Sequence, residues 1–340
     1  MFMKESDAEK LIEVSSLSVD FSSGKETISA VDNISFSINR GEIVALVGES
    51  GCGKSVTCLS LARLVEEAAV SYSKGEIKFY DQGTVLNITD LPQNKLRNIR
   101  GKKIAYIFQE PSTSLNPVMK VGEQLAESIM AHDNDDDLDV DSEVISLLKL
   151  VGIPEPEKRL NAYPCHFSGG MQQRVMIAMA IAGNPEILVA DEPTTSLDVT
   201  IQAQMIELFR KIRDEKGMAI LLVTHNLGIV ADIADRVMVM YAGHIVESCS
   251  KQKIFIAAMH PYTLALLKAI PKLGRGRVRL ESIPGVLHNY NKEYRGCRFA
   301  ERCLLMKNLA AEKSDLCVKK VPEERMIFPE HKCMCHYTHG

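Results

Sequence analysis

Gly48-Glu49-Ser50-Gly51-Cys52-Gly53-Lys54-Ser55 is a glycine, four residues, then Gly-Lys-Ser. Glycines so spaced let several backbone N–H groups converge on phosphate oxygens, the lysine reaches the β- and γ-phosphates, and the serine offers its hydroxyl to Mg²⁺. The flanks suit that chemistry. Residues 42–47 read as a buried strand after Arg40-Gly41, and residues 56–65 carry the apolar spacing of a helix whose positive dipole end points at the loop. Strand, glycine loop and helix in this order predict an α/β nucleotide-binding core.

Outward from the loop, residues 12–21 and 30–38 are β-branched runs separated by turn signals, so the core is preceded by β structure. Two compact apolar runs, 187–190 and 219–223, read as buried parallel strands with polar residues at their ends. The first ends in Asp191-Glu192. There Asp191 would hold Mg²⁺ through water, and Glu192 would activate the attacking water.

Composition sets limits. The 340 residues allow two or three domains. Lys+Arg number 40 against 44 Asp+Glu, a net charge of -4 that offers no basic surface for nucleic acid. The apolar runs are too short to span a bilayer, and Met1-Phe2-Met3-Lys4-Glu5-Ser6-Asp7 lacks the apolar stretch of a secretory signal, so the chain is expected in the cytosol. Residues 110–160 turn helical and polar. Their run Asp133-Asn134-Asp135-Asp136-Asp137 reads as a solvated loop, because the Gly and Glu of a calcium loop are replaced by Leu138 and Val144. A boundary is expected near residue 255, giving domains 1–255 and 256–340. Past it, a short helix over 264–270 precedes the linker Gly274-Arg275-Gly276-Arg277. The remainder is poor in apolar periodicity, so something other than a hydrophobic core is expected to organise it. Five of the nine cysteines, Cys297, Cys303, Cys317, Cys333 and Cys335, fall there. Cys52, Cys58, Cys165 and Cys249 are scattered and read as small buried or tolerated residues.

Phe167-Ser168-Gly169-Gly170-Met171-Gln172-Gln173-Arg174 decides the class. With the loop at Gly48, Gln109, Asp191-Glu192, Ser196-Leu197-Asp198 and His225, it resembles the ATP-binding cassette ATPases of ABC transporters, in that family's order, over residues 11–250. The resemblance implies a RecA-like P-loop core with an antiparallel β subdomain and a helical subdomain at about 110–182. Ser168 before two glycines reads as the cap of a helix over 170–182, a second phosphate-binding helix end. In the family that signature loop contacts the γ-phosphate held by the other subunit, so two ATPs are sandwiched in a head-to-tail dimer. By the same likeness Gln109 contacts Mg²⁺ and the attacking water, His225 contacts the γ-phosphate, Asp198 lies at the dimer interface, and Phe21 stacks on adenine. Read as residues alone, Gln109 is a turn residue, Asp198 a helix cap, His225 a strand-end histidine and Phe21 core packing.

Tyr106 to Pro117 (Tyr106-Ile107-Phe108-Gln109-Glu110-Pro111-Ser112-Thr113-Ser114-Leu115-Asn116-Pro117), Met240-Tyr241-Ala242-Gly243, His260-Pro261-Tyr262-Thr263 and Ile283-Pro284-Gly285 are similar to the oligopeptide/dipeptide/nickel import ATPases. That branch implies a peripheral subunit on the cytoplasmic side of the membrane. Its partners would be a second ATPase, a related chain or an identical one, two transmembrane permease subunits and, indirectly, an extracytoplasmic solute-binding protein. An exporter ATPase and a soluble cassette ATPase acting on ribosomes or DNA are the alternatives. Gly296-Cys297-Arg298-Phe299-Ala300-Glu301-Arg302-Cys303 resembles the branch's C-terminal cysteine motif, which carries a 4Fe-4S cluster in some members. Four thiolates suit such a cluster or zinc. The resemblance gives Cys297, Cys303, Cys317 and Cys335 as ligands, with Cys333 competing for the last place. The 13 residues between Cys303 and Cys317 depart from the family's spacing. Disulfides are a third reading, disfavoured by a reducing cytosol.

Overall fold

The computed structural model describes residues 10–23, 26–65, 70–108, 114–132, 139–195, 198–270, 283–288, 290 and 294–338. Gln109, Ser196-Leu197, the acidic run at 133–137, the linker at 274–277 and the N-terminal residues 1–7 lie outside them. The strands are β1 (Lys10–Ser23), β2 (Glu26–Asn39), β3 (Ile43–Val47), β4 (Val70–Asp81), β5 (Thr84–Asn87), β6 (Ile104–Ile107), β7 (Ile187–Asp191), β8 (Ala219–Thr224), β9 (Arg236–Tyr241), β10 (His244–Ser250), β11 (Arg325–Phe328) and β12 (His331–Cys333). The principal helices are α1 (Lys54–Ser60), α2 (Val121–Met130), α3 (Val140–Leu150), α4 (Gly169–Ile181), α5 (Val199–Lys216), α6 (Leu227–Ile233), α7 (Lys251–Ile256), α8 (Pro261–Lys268) and α9 (Ala311–Lys319). They divide between two compact units: Met1–Leu11, Ile38–Ile43 and Tyr80–Val223 in one, Ile12–Ser37, Val44–Phe79 and Thr224–Gly340 in the other.

In the first unit β6, β7 and β8 run parallel, with Ala105 opposite Leu188 and Val189 opposite Leu221. Every residue of β7 and β8 is buried. That burial on both faces is why they read as unbroken apolar runs. Helices α2, α3 and α4 pack together through Leu125, Ile129, Leu147, Leu148, Val175 and Ile181.

In the second unit β1 and β4 pair antiparallel, Ile12 opposite Phe79 and Val14 opposite Ile77, with a register shift after Ser15. The strand β3 runs parallel to β9, and β9 pairs antiparallel with β10, which pairs in turn with β12 of the β11–β12 hairpin. Helix α1 stops at Ser60, short of the expected residue 65. The Ser60 hydroxyl donates back to Val56 O at 2.7 Å and Arg63 takes a positive φ of 49°. Both interrupt the helical ladder. Helix α8 begins earlier than residue 264, at Pro261, since proline suits a first helical turn and His260 Nδ1 accepts from Tyr262 N at 3.1 Å.

The tail corrects one expectation outright. Tyr262, Tyr290, Phe299 and Cys303 share a buried core with Val47, Val230, Val239, Tyr241 and Val246. Aromatics scattered without helical or strand period supply this packing, so periodicity could not register it. The Phe299 ring lies edge-on to Tyr241 at 5.1 Å and 5.4 Å from Tyr262.

His244 and His260 in this unit are fully enclosed, and burial pushes their rings down to about 4 and about 3 respectively, Arg298 adding to the effect at His244. Both are neutral when folded but take up protons below about pH 6.5 when unfolded. Stability should therefore fall as pH drops from 6.5 toward 4, by up to about 1.4 kcal/mol per pH unit for each ring. Denaturant midpoints at a series of pH values check this, and a midpoint that rises on acidification would contradict it.

Candidate nucleotide site and cysteine cavity

The loop after β3 is built by steric exclusion. A Cβ at Gly48 would lie 2.2 Å from Met240 O, and one at Gly53, whose φ is +107°, would lie 2.4 Å from Ala30 O. No L side chain fits either place. Lys54 is buried at 5% exposure and donates to Gly48 O and Glu49 O, both at 2.9 Å, which holds Nζ within the curve of the loop. Cys52 is buried and its carbonyl accepts from Gly243 N at 2.8 Å. Ser50, Gly51 and Ser55 are exposed.

Two residues near the C-terminus hold the same loop. Arg302 forms a two-pronged pair with Glu49, at 2.6 and 2.9 Å, while also donating to Pro284 O at 2.7 Å and Tyr241 Oη at 3.3 Å. Tyr262 Oη accepts from the backbone N–H of Glu49 at 2.9 Å. The guanidinium fork thus neutralises a carboxylate that would otherwise stand within a phosphate-binding loop. One position along from Cys297, Arg298 donates to Asp32 at 2.6 Å and to Ala242 O.

At the end of β7, Asp191 is buried and accepts from Tyr106 Oη at 2.8 Å. Glu192 has a positive φ of 48°. That left-handed geometry costs a non-glycine residue on the order of 1–3 kcal/mol, and strain of this kind gathers at functional sites. Its amide donates to Val223 O at 3.0 Å and its Oε2 accepts from Thr195 Oγ1 at 3.0 Å, which fixes the carboxylate. His225 is exposed just after β8, and Phe21 is half-buried in β1 opposite Val70.

The glycine pair lies at the start of α4. Ser168 Oγ accepts from Met171 N at 3.3 Å, and a Cβ at Gly169 would meet nothing within 4 Å. Ser168 and Gly169 are exposed, Gly170 is half-buried against Ile201, and Gln172 reaches back to Pro164 O at 2.9 Å. Asp198 caps α5, its Oδ1 accepting from Thr200 N at 2.9 Å and Ile201 N at 3.0 Å.

Cys297, Cys303, Cys317 and Cys335 line one small, mostly apolar cavity with His260, Phe299 and Met306. Cys297 N donates to Cys317 O at 2.7 Å. Burial pushes the Cys297 thiol up to about 12, with Cys335, Cys317 and Cys303 acting in the same direction. Burial also pushes Cys335 up to about 11. Cys333 does not line this cavity; burial and then Glu247 push its thiol up. None of the nine cysteines forms a disulfide. The four cysteines and the glycine loop are the residues that the sequence singles out, and the structure brings the four cysteines to one cavity. Arg302, Tyr262 and Tyr106 carry no such signal: each is a single arginine or tyrosine inside a motif whose chemistry lies in other residues.

A glycine loop between β3 and α1 and a parallel strand ending in Asp-Glu define a nucleotide-hydrolysing cassette. Residues 31–195 match the family described as ABC transporter, and residues 246–308 match the oligopeptide/dipeptide transporter C-terminal region. The chain is 43% identical to the probable peptide ABC transporter ATP-binding protein y4tR of Sinorhizobium fredii, over 96% of this chain and 95% of that protein. It is 45% identical to the dipeptide transport ATP-binding protein DppD of Bacillus subtilis, over 87% of each. Among solved structures, the dimeric ATP-binding cassette MJ0796 bound to ADP and Pi superposes with a TM-score of 0.62 at 27% identity, covering 71% of this chain and 99% of that one. The chain belongs to the ATP-binding subunits of ABC transporters that carry the oligopeptide/dipeptide C-terminal region. It binds and hydrolyses ATP. Among the described residues, no helix is long and apolar enough to cross a membrane.

Proposed function

We propose that this ATPase powers uptake of oligopeptides, dipeptides or a related small solute through separate permease subunits at the cytoplasmic face of the membrane. The observation that carries the reading is the oligopeptide/dipeptide C-terminal region at residues 246–308, following a cassette match in the same chain. Relatives named for peptide and dipeptide transport align with the chain over 95% and 87% of their own length. Lys54 and the loop amides bind the β- and γ-phosphates. Ser55, Asp191 and Gln109 are the residues that would hold Mg²⁺, which neutralises phosphate charge when bound, and Glu192 takes the proton of the attacking water. His225 and a partner cassette's signature loop, the counterpart of Ser168, Gly169, Gly170 and Gln172, would contact the γ-phosphate, with Asp198 at the interface and Phe21 on adenine. ATP binding closes the cassette pair and hydrolysis reopens it. The test is purification from membranes in mild detergent: co-purification with two hydrophobic permeases and a second cassette, with ATP turnover raised by a peptide-loaded binding protein, is expected. Recovery with ribosomes or nucleic acid would overturn the reading, and net peptide export from inside-out assays would make the subunit part of an exporter.

Within residues 256–340, we read the four-cysteine cavity as a 4Fe-4S site rather than a zinc site. Thiolates around one zinc stand about 2.3 Å from the metal and so roughly 3.8 Å apart. Among the described residues, no three of these thiols gather within 4.8 Å of one another. The wider spacing suits a cluster, which supplies either a redox centre or a structural staple when bound. Cys317→Ser should reduce iron per chain in anaerobically purified protein and bleach its broad visible absorption; wild-type protein without iron would refute the assignment.

A further inference from the structure

A second group of side chains able to hold a metal lies along the β10–β12 ladder. Glu247 stands opposite Cys333 and Ser248 opposite Lys332 in that antiparallel pair. Because side chains alternate along a strand, Cys249 and His331 share the face of Glu247 and Cys333, one step along. All four are almost completely enclosed, at 0–1% exposure. A carboxylate oxygen of Glu247, Sγ of Cys249 and a ring nitrogen of His331 lie within 4.8 Å of one another. Among the described residues, no other trio of His, Cys, Asp or Glu is so gathered.

Hydrogen bonding accounts for only part of this group. The carboxylate of Glu247 accepts from Met259 N at 2.7 Å and His260 N at 2.9 Å, and it contacts His331 Nε2 at 2.7 Å. His331 Nδ1 is buried with no hydrogen-bond partner. An orphaned polar atom inside a protein costs about 1–3 kcal/mol, and natural interiors rarely leave one unless it binds something. A carboxylate at one imidazole nitrogen and a metal at the other is the usual support for a metal-binding histidine. The Cys249 thiol gathered with it, and Cys333 opposite Glu247 in the ladder, bring soft donors suited to a divalent ion.

We propose that Cys249, His331 and Cys333, with Glu247 as the carboxylate that completes or orients the set, form a buried site for a single zinc ion, distinct from the four-cysteine cavity. Binding would release the two thiol protons to solvent and leave two thiolates, a neutral imidazole and a carboxylate around the ion. The ion would pin the C-terminal hairpin to β10 and, through the Glu247 contacts with Met259 N and His260 N, to the start of the helix that presents Tyr262 to Glu49. Its role is thus structural, at a distance from the chemistry.

The experiment uses the full chain carrying Cys297→Ser and Cys317→Ser, which removes thiols of the other cavity, stripped with a chelator and titrated with Zn²⁺ and then Co²⁺. One zinc per chain, thiolate-to-cobalt charge-transfer absorption and a raised melting temperature are expected. Cys249→Ala and His331→Asn should each abolish that signal, and Glu247→Gln should weaken zinc binding about 10–100-fold. Should those variants misfold, Cys333→Val, which keeps an apolar side chain in place, must still lower zinc affinity and reduce the charge-transfer intensity. Absence of stoichiometric zinc in the doubly substituted chain, or zinc binding untouched by Cys249→Ala and Cys333→Val, would overturn the site.

Discussion

Glu192→Gln should leave ATP binding to the assembled transporter intact while lowering its steady-state hydrolysis by about 10²–10⁴-fold, the usual contribution of a positioned general base. Glu192 sits in a left-handed backbone conformation at the end of β7, held by Val223 O and by Thr195, so its carboxylate is fixed before substrate arrives. The amide isostere keeps shape and the Thr195 contact but cannot accept the proton of water. Turnover equal to wild type, measured with nucleotide occupancy confirmed separately, would remove Glu192 from the role. Unlike Glu192→Gln, Lys54→Ala should fail at the binding step, so the two defects are separable in one assay.

Arg302→Ala should weaken ATP binding on the order of tenfold, about 1.4 kcal/mol, with a smaller effect on turnover at saturating ATP. Charged hydrogen bonds are typically worth about 1.5–3 kcal/mol, and Glu49 is partly exposed, so water would recover some of the loss. What remains is an unmasked carboxylate in a loop that must accept a polyphosphate. Charge masking has its own signature: Glu49→Gln in the Arg302→Ala background should restore much of the affinity, and Arg302→Lys should restore less because one ammonium cannot replace a fork. If the double variant binds ATP as poorly as Arg302→Ala alone, Arg302 acts only through packing. Either way it is a positioning residue, since its contact with the loop is made through Glu49.

The phosphate loop was legible because its chemistry admits few residue types: a Cβ at Gly48 or Gly53 collides with backbone. The parallel strands β7 and β8 were legible because burial on both faces leaves an unbroken apolar run. Helix ends were less so. Ser60 and Arg63 stop α1 by a local hydroxyl bond and a left-handed turn, neither of which changes the apolar period that suggested a longer helix. The tail was misjudged for a related reason. Its packing rests on Tyr262, Tyr290 and Phe299, single rings far apart in sequence that meet in one core. Pairings such as Arg302 with Glu49, separated by 253 positions, have no local trace at all. The cysteines were found by composition and resemblance. What set Cys335 apart from Cys333 was the end of β12: Cys333 is the strand's last residue, and Cys335 lies past it, lining the cavity.

The contacts of Arg302 and Tyr262 with Glu49 also carry a thermodynamic obligation. If the docked C-terminal segment favours the nucleotide-competent loop, nucleotide must favour the docked segment by the same free energy, because linkage between two sites is reciprocal. ATP concentration therefore becomes a stabiliser of chain some 250 residues downstream of the loop it touches. An ion bound at the proposed cysteine-rich sites would in turn be an allosteric ligand of the motor, and starvation for that metal would be felt as a change in apparent affinity for fuel.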